Sequence, residues 1–366
     1  MKLFCLALAA CLASASSAPL GPTVQLRGGV EMPTIGLGSS GGCGPDSFGT
    51  ADGSPCAGYN ASLEWINNGG RALHDALSYC NQYGVGRAVR DSGLPRDELF
   101  VMSMVPKFLM GYNETKASVR ASLQQMGLKS LDLVMVHHRA ADFTEWPRQV
   151  CQMKSFPHVR TAGDKAVWSA PPCALRDPSW RQCQDETWRA LTELKSAGLV
   201  RAIGVSNWPI SSLQRMKDLG QELPAVNQVE VHIGYHEDDL IEWCHENGIF
   251  VQAATPLARS LPALIEFDAD PTVTAVARRH NKFPSQIALR FLLEIGVGAI
   301  PSTANSTYQQ QNLDVFDFEL SPAEVRNLSK VVAPCRGEAA LGLTKCWADP
   351  STMMCMDANG RTFHCP

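Results

Sequence analysis

The sequence predicts an α/β chain folded as a (β/α)8 barrel, and three observations carry that prediction. Short apolar runs alternate with amphipathic helical segments eight times along the chain. Several of the runs are continuously apolar, as parallel strands covered on both faces must be. The chain has 366 residues, 45% of them hydrophobic, enough for one barrel of roughly 250 residues with insertions. On periodicity alone, an open doubly wound sheet of this length also fits.

Taken in order, Thr23 to Met32 reads as a period-two hairpin turning at Arg27-Gly28-Gly29. Candidate barrel strands follow at Thr34–Gly38, Arg71–Asp75, Leu99–Met104, Leu131–His137, Arg201–Val205, Ala225–Val229, Ile249–Ala254 and Gly298–Pro301. Between them, Asp185 to Ala197 puts Trp188, Leu191 and Leu194 on one helical face, with Gly198 placed as a C-cap glycine. Asp238 to Asn247 does the same with Ile241 and Cys244, and Pro284 opens a helix running to about Glu294. The barrel spans residues 24–332. Residues 139–181, rich in Pro, Trp and Cys, form an insertion after the fourth strand, on the face where barrel active sites are built. Residues 333–366 form a Cys-rich tail. Both read as disulfide-stapled loops rather than separate domains.

The chain opens like an exported protein. Lys2 precedes the apolar run Leu3 to Leu12, too short to span a bilayer, and Ala13-Ser14-Ala15 offers a small-x-small cleavage site. Residues 1–18 are expected to be a signal peptide and the product secreted or lumenal; a buried first helix is the rival reading. No second long apolar run anchors the chain in a membrane. Net charge is −4 and no stretch is basic enough for a nucleic-acid footprint. Of 13 cysteines, Cys5 and Cys11 fall in the leader. Cys43 with Cys56, and Cys173 with Cys183, bracket local loops and read as disulfides of an oxidising compartment, while Cys335, Cys346, Cys355 and Cys365 crowd the tail. Zinc is disfavoured because no CxxC pair occurs. Cys80 and Cys244 read as free, buried thiols. Asn60, Asn113, Asn305 and Asn327 begin N-x-[ST] sequons, open to glycans if the chain is exported. Oligomeric state is not legible.

From about Val24 to Val332 the chain resembles the aldo-keto reductases. Gly29-Val30-Glu31-Met32-Pro33 with Ile35-Gly36-Leu37-Gly38 is similar to the family's opening hairpin and first strand. Ser92 to Phe100 matches the lead-in to the third strand; Gly127-Leu128, Leu131-Asp132-Leu133 and His137 match the fourth. Val200-Arg201-Ala202-Ile203-Gly204-Val205-Ser206-Asn207 is nearly the fifth-strand signature. Pro224 to Glu230 and Phe316 to Ser321 match the sixth strand and the segment near the family's C-terminus. The resemblance implies reduction of aldehydes and ketones with NADPH and without metal: the nicotinamide gives hydride to the carbonyl carbon and a Tyr hydroxyl gives a proton to its oxygen. It also implies a Lys beside that Tyr, held by an Asp, because a nearby cation lowers a phenol pKa otherwise near ~10.

Carried over residue by residue, the resemblance puts the catalytic Tyr at Tyr79 and the carbonyl-orienting His at His137. His74 stands at the Asp position and Met104 at the Lys position, so both charges of the pair are gone. Asp75 should point to the opposite strand face, and Lys107 lies past the strand end; both read as solvated or structural. Ser206, Asn207 and Gln228 match the nicotinamide carboxamide contacts. Ala254-Thr255-Pro256-Leu257 replaces the segment carrying the stacking Tyr, leaving Thr255 and Leu257 as cofactor contacts. Ser302, Thr303 and Tyr308 stand where a Lys and an Arg clamp the 2′-phosphate, and Asn312 matches the adenine contact. Losing two cations removes charge-assisted contacts of roughly 1.5–3 kcal/mol each, so NADP should bind weakly and preference lean to NAD. Two functions compete: a slow NAD(P)-linked carbonyl reductase, or a secreted non-catalytic binding protein holding a small carbonyl compound or a glycan in the barrel mouth. A metal hydrolase built on His74, His137 and His138 is a third reading, without an obvious carboxylate ligand.

Overall fold

A computed structural model of the chain describes residues 21–39, 58–79, 81–139, 173, 180–258, 270–331 and three short tail strands. The leader, Cys43, Cys56, Cys80 and nearly all of the 139–181 insertion lie outside the described residues, as do the expectations that rest on them.

The opening hairpin is present. Strand β1 (Thr23–Gln25) pairs antiparallel with β2 (Glu31–Pro33). Its turn needs two residues of positive φ, and Gly28 (φ 88°) and Gly29 (φ 80°) supply them. Seven parallel strands then form one curled sheet in chain order: β3 (Ala72–His74), β4 (Phe100–Val105), β5 (Leu131–Val136), β6 (Val200–Ser206), β7 (Val226–Glu230), β8 (Phe250–Ala254) and β9 (Gly298–Ala299).

The expected first strand, Thr34–Gly38, is not a continuous ladder. It is a seam whose residues alternate between the two edge strands. Gly36 N donates to Ala299 O at 2.9 Å, and Leu37 N to Ala72 O at 2.9 Å. Single bridges join Ile35 to Ala299 and Leu37 to Leu73, so this segment closes the ring. Glycine makes the threading possible: a Cβ on Gly38 would lie 2.4 Å from the Ile300 carbonyl oxygen.

Among the described residues, helices α1 (Gly58–Asn67), α2 (Gln82–Asp91), α3 (Tyr112–Met126), α4 (Arg181–Ser196), α5 (Ile210–Asp218), α6 (Asp238–Glu246), α7 (Pro271–His280), α8 (Pro284–Glu294), α9 (Ser306–Leu313) and α10 (Pro322–Leu328) surround the sheet. Helix α4 starts four residues earlier than the apolar pattern predicts. Its first turn carries Cys183, which is fully buried and disulfide-bonded to Cys173. Cys244 is free and buried, as expected. None of the described helices is long and apolar enough to cross a membrane.

The strands divide two apolar layers. Leu73, Val101, Val105, Val134 and Val136 face the helices. Ala72, Met102, Met104, Leu133, Met135 and Ala202 fill the barrel, with Leu26, Val30 and Met32 of the hairpin among them. The tail, expected to lack regular structure, contains three antiparallel strands: β10 (Trp347–Asp349), β11 (Met354–Met356) and β12 (Thr362–His364). Three residues are too few to show a period-two signal in a sequence.

Candidate active site

The C-terminal ends of the strands converge on one group of side chains. After β3 the chain makes a single 3-10 turn, Leu77–Tyr79, closed by Tyr79 N donating to Ala76 O. This turn sets Tyr79 half-buried at the mouth. Its hydroxyl lies 3.2 Å from His137 Nε2, and the two rings meet edge to face. His137 follows β5, held by its N–H donating to Val105 O. Burial drives the His137 pKa well below its ordinary value, and the neighbouring basic groups His138, His74 and Lys107 push it the same way. The imidazole is therefore neutral. Protonated at Nδ1, it accepts the phenol proton at Nε2; as the other tautomer it donates to the phenol oxygen.

Asn207 holds this pair from the next strand. Its backbone takes the left-handed conformation (φ 61°), which Asn tolerates better than most residues. Its Nδ2 donates to the His137 carbonyl at 3.1 Å and to Ser206 Oγ at 3.1 Å, and lies 3.4 Å from His138 Nδ1. Its own N–H donates to Gln228 O. Gln228 in turn donates to Gln252 Oε1 at 2.7 Å, fully inside the barrel. Thus the residues of the fifth- and sixth-strand motifs are brought together with His137.

On the other side of the mouth, the two positions of the implied ion pair are uncharged. His74 is 3% exposed, and neither ring nitrogen has a hydrogen-bond partner. Burial pulls its pKa down to about 3. Its ring centroid lies 6.2 Å from that of Tyr79. Met104 is buried among Ala72, Ala76, Met102, Leu133 and Met135, with Tyr79 packed against the same cluster.

Of the two expected readings of Asp75, solvated or structural, the structural one holds: the residue is completely buried, its Oδ1 accepts from Ala76 N (2.6 Å) and from Ser39 Oγ (3.4 Å), and its Oδ2 has no partner. Burial raises its pKa well above the carboxylate range, against the two hydrogen bonds. A carboxyl directed between strand and helices has no water to reach, so it stays protonated. Lys107, on a one-turn 3-10 helix after β4, carries a charge that acts on His137.

Around the rim, Thr255 has φ 49° and a buried Oγ1 without a partner, and Leu257 packs against the core. Ser302 is exposed; Thr303 Oγ1 accepts from Asn305 N. Tyr308 is 56% exposed, and Asn312 is buried on α9. One feature has no motif signal in the sequence: Glu64 of α1 accepts from Ser306 Oγ at 2.5 Å, placing a carboxylate at the first residue of α9. Among the described residues, no three His, Cys, Asp or Glu side chains are placed to hold a metal ion.

Residues 63–333 match the model of the Aldo/keto reductase family. The chain belongs to that family. Relatives of this aldo-keto reductase include glyoxal reductase of Bacillus subtilis (strain 168), 32% identical over 83% of this chain and 90% of the relative. The 2,5-diketo-D-gluconic acid reductase B of Corynebacterium sp. is 32% identical over 82% of this chain and 93% of the relative. Among solved structures, an aldo-keto reductase from Brucella melitensis covers 85% of this chain and 99% of its own, with TM-score 0.66 and 27% identity. A Bombyx mori aldo-keto reductase in complex with NADP covers 86% and 94%, with TM-score 0.67 and 25% identity.

Proposed function

We propose that this chain carries out slow, NAD(P)-linked reduction of small aldehydes or ketones at the barrel mouth. The observation that carries this reading is the 3.2 Å contact between the Tyr79 hydroxyl and His137 Nε2, with Asn207 tied to the His137 carbonyl. That contact supplies a proton donor and a neutral hydrogen-bonding partner for a carbonyl oxygen. The residues fit the nicotinamide end of a dinucleotide: Ser206, Asn207 and Gln228 form one bonded patch, and the unpartnered Thr255 Oγ1 awaits a polar ligand. When bound, the reduced cofactor supplies the hydride. At the other end, Ser302 and Tyr308 bring no cation and Glu64 brings a carboxylate, which supports weak binding and a lean toward NAD. Turnover is slow because His74 and Met104 leave the phenol without the ion pair that its acidity calls for.

Titration with NADH and NADPH, followed by nicotinamide fluorescence and an aldehyde panel, tests this directly. Slow turnover abolished in Tyr79→Phe supports it; no binding of either dinucleotide ends it.

A second reading is a secreted, non-catalytic binding protein with a small carbonyl compound or a glycan in the same mouth. What favours it is His74, buried with a donor and an acceptor both unspent. A neutral ligand bearing hydroxyl groups satisfies both at once. Export through the residue 1–18 leader belongs to this reading. Retention of a sugar or aldehyde by the dinucleotide-free protein, unchanged in Tyr79→Phe, would select it.

A further inference from the structure

All four sequon asparagines, Asn60, Asn113, Asn305 and Asn327, are exposed in the folded chain. Three of them stand at N-terminal ends of helices: Asn60 and Asn113 in the first turns of α1 and α3, and Asn305 as the N-cap of α9. In a barrel of this kind the helix N-termini follow the strand C-termini, so these residues lie toward the mouth. Asn305 is the informative one. It sits three residues past Ser302 and three before Tyr308, in the connection after β9. Its backbone is extended (φ −82°, ψ 118°), and its Oδ1 accepts from Tyr308 N at 3.2 Å. That cap uses the oxygen of the carboxamide. Nδ2, the atom an N-glycan bonds to, takes no part in it.

We propose that Asn305 is an N-glycosylation site whose glycan stands over the adenosine end of the dinucleotide groove and excludes the cofactor from the exported protein. The modification itself rests on the export reading, and the exclusion rests on the cofactor reading given above. In the transfer, Asn305 Nδ2 bonds to the anomeric carbon of an oligosaccharide, the polyprenyl diphosphate carrier leaves, and one Nδ2 proton is lost. Cap and glycan coexist because they use different atoms of one side chain. A branched oligosaccharide at this position shares its space with whatever lies against Ser302 and Tyr308.

The full chain is expressed in a secreting eukaryotic host and, in parallel, in bacterial cytosol. Peptide-N-glycosidase in heavy-oxygen water marks each released site by mass, and NADH binding is followed by fluorescence. Thr307→Ala removes the sequon and keeps the Asn305 cap; Asn305→Gln removes both. The expected result is a marked Asn305 peptide from the medium, and NADH binding at least ~10-fold tighter in exported Thr307→Ala than in the exported parent. Cytosolic parent and Thr307→Ala should bind alike. A chain found in the medium or the secretory lumen with Asn305 unmarked overturns the proposal, and so does a chain that enters neither. A marked Asn305 with equal NADH affinity in parent and Thr307→Ala overturns the exclusion. If no form binds NADH, cytosolic forms included, the cofactor reading fails and takes the exclusion with it, while the mass mark still decides the modification.

Discussion

The two sides of the barrel mouth have been treated differently. On the side of β5, β6 and β7, His137, Ser206, Asn207 and Gln228 keep a continuous set of neutral hydrogen bonds. On the side of β3 and β4, the two positions where the family resemblance implies an ion pair hold His74 and Met104, both buried and neutral. The difference follows the cost of burial. A neutral amide network is stable inside a barrel once every partner is present, whereas one half of a buried ion pair is not. Losing either charge alone would strand the other, so the two positions must change together. The result is a mouth that still shapes hydrogen bonds but lacks the paired charges, with Lys107 after β4 the cation that acts on His137.

The largest expected effect falls on the retained side. Tyr79→Phe should lower any carbonyl reduction by ~10²–10⁴-fold, with an unchanged thermal midpoint; steady-state rates against a broad aldehyde set check it. An unaltered rate would move the acid elsewhere and dissolve the comparison.

Next is Met104→Lys. An ammonium placed among Ala72, Met102 and Leu133 without a carboxylate should cost about 3 kcal/mol or more and should not restore rapid turnover. The double change His74→Asp with Met104→Lys should recover most of that loss, as read by urea unfolding. Robust rescue of activity by Met104→Lys alone would show that His74 already serves as its partner.

The third concerns acid. His74 has a folded pKa near 3, below its unfolded value of ~6.5, so the unfolded chain binds the extra proton and stability falls as pH drops below about 6.5. Between pH 8 and pH 5 the loss from this one residue is about 2 kcal/mol. Replacement by Leu should flatten the pH dependence of the unfolding midpoint by that amount.

The smallest effect has the opposite sign. Asp75, one residue on, has its pKa raised by burial. The stability it contributes is present below the ordinary carboxylate pKa and fades as pH rises. Asp75→Asn should therefore stabilise the chain at neutral pH and increasingly above it; a variant less stable than the parent at pH 8 would contradict the buried, protonated carboxyl.

Much of this was legible in the sequence. Continuous apolar runs located seven strands to within a residue or two, and glycine and proline punctuation set the helix ends. Tyr79, His137, Ser206, Asn207 and Gln228 are legible as a group only through the family resemblance, which carries a role to each matching position. What stayed hidden depends on three-dimensional neighbours. Asp75 reads as solvated or structural, and which of the two holds depends on a wall of residues assembled from other elements. Glu64 and Ser306 are 242 residues apart, and nothing local to either announces the other. The 34–38 segment reads as an ordinary strand, and only its alternation between two edges distinguishes it.

That seam has a consequence for proton access. The amide of His74 donates to the carbonyl of Leu37, so the backbone carrying an imidazole with two unpartnered nitrogens is fastened to the least continuous stave of the cylinder. A proton taken up by the ring below its unfolded pKa of about 6.5 disfavours the closed seam, because the buried imidazole is held neutral. Acid would open this cylinder along one line, from residue 37 outward, before it loosened the rest.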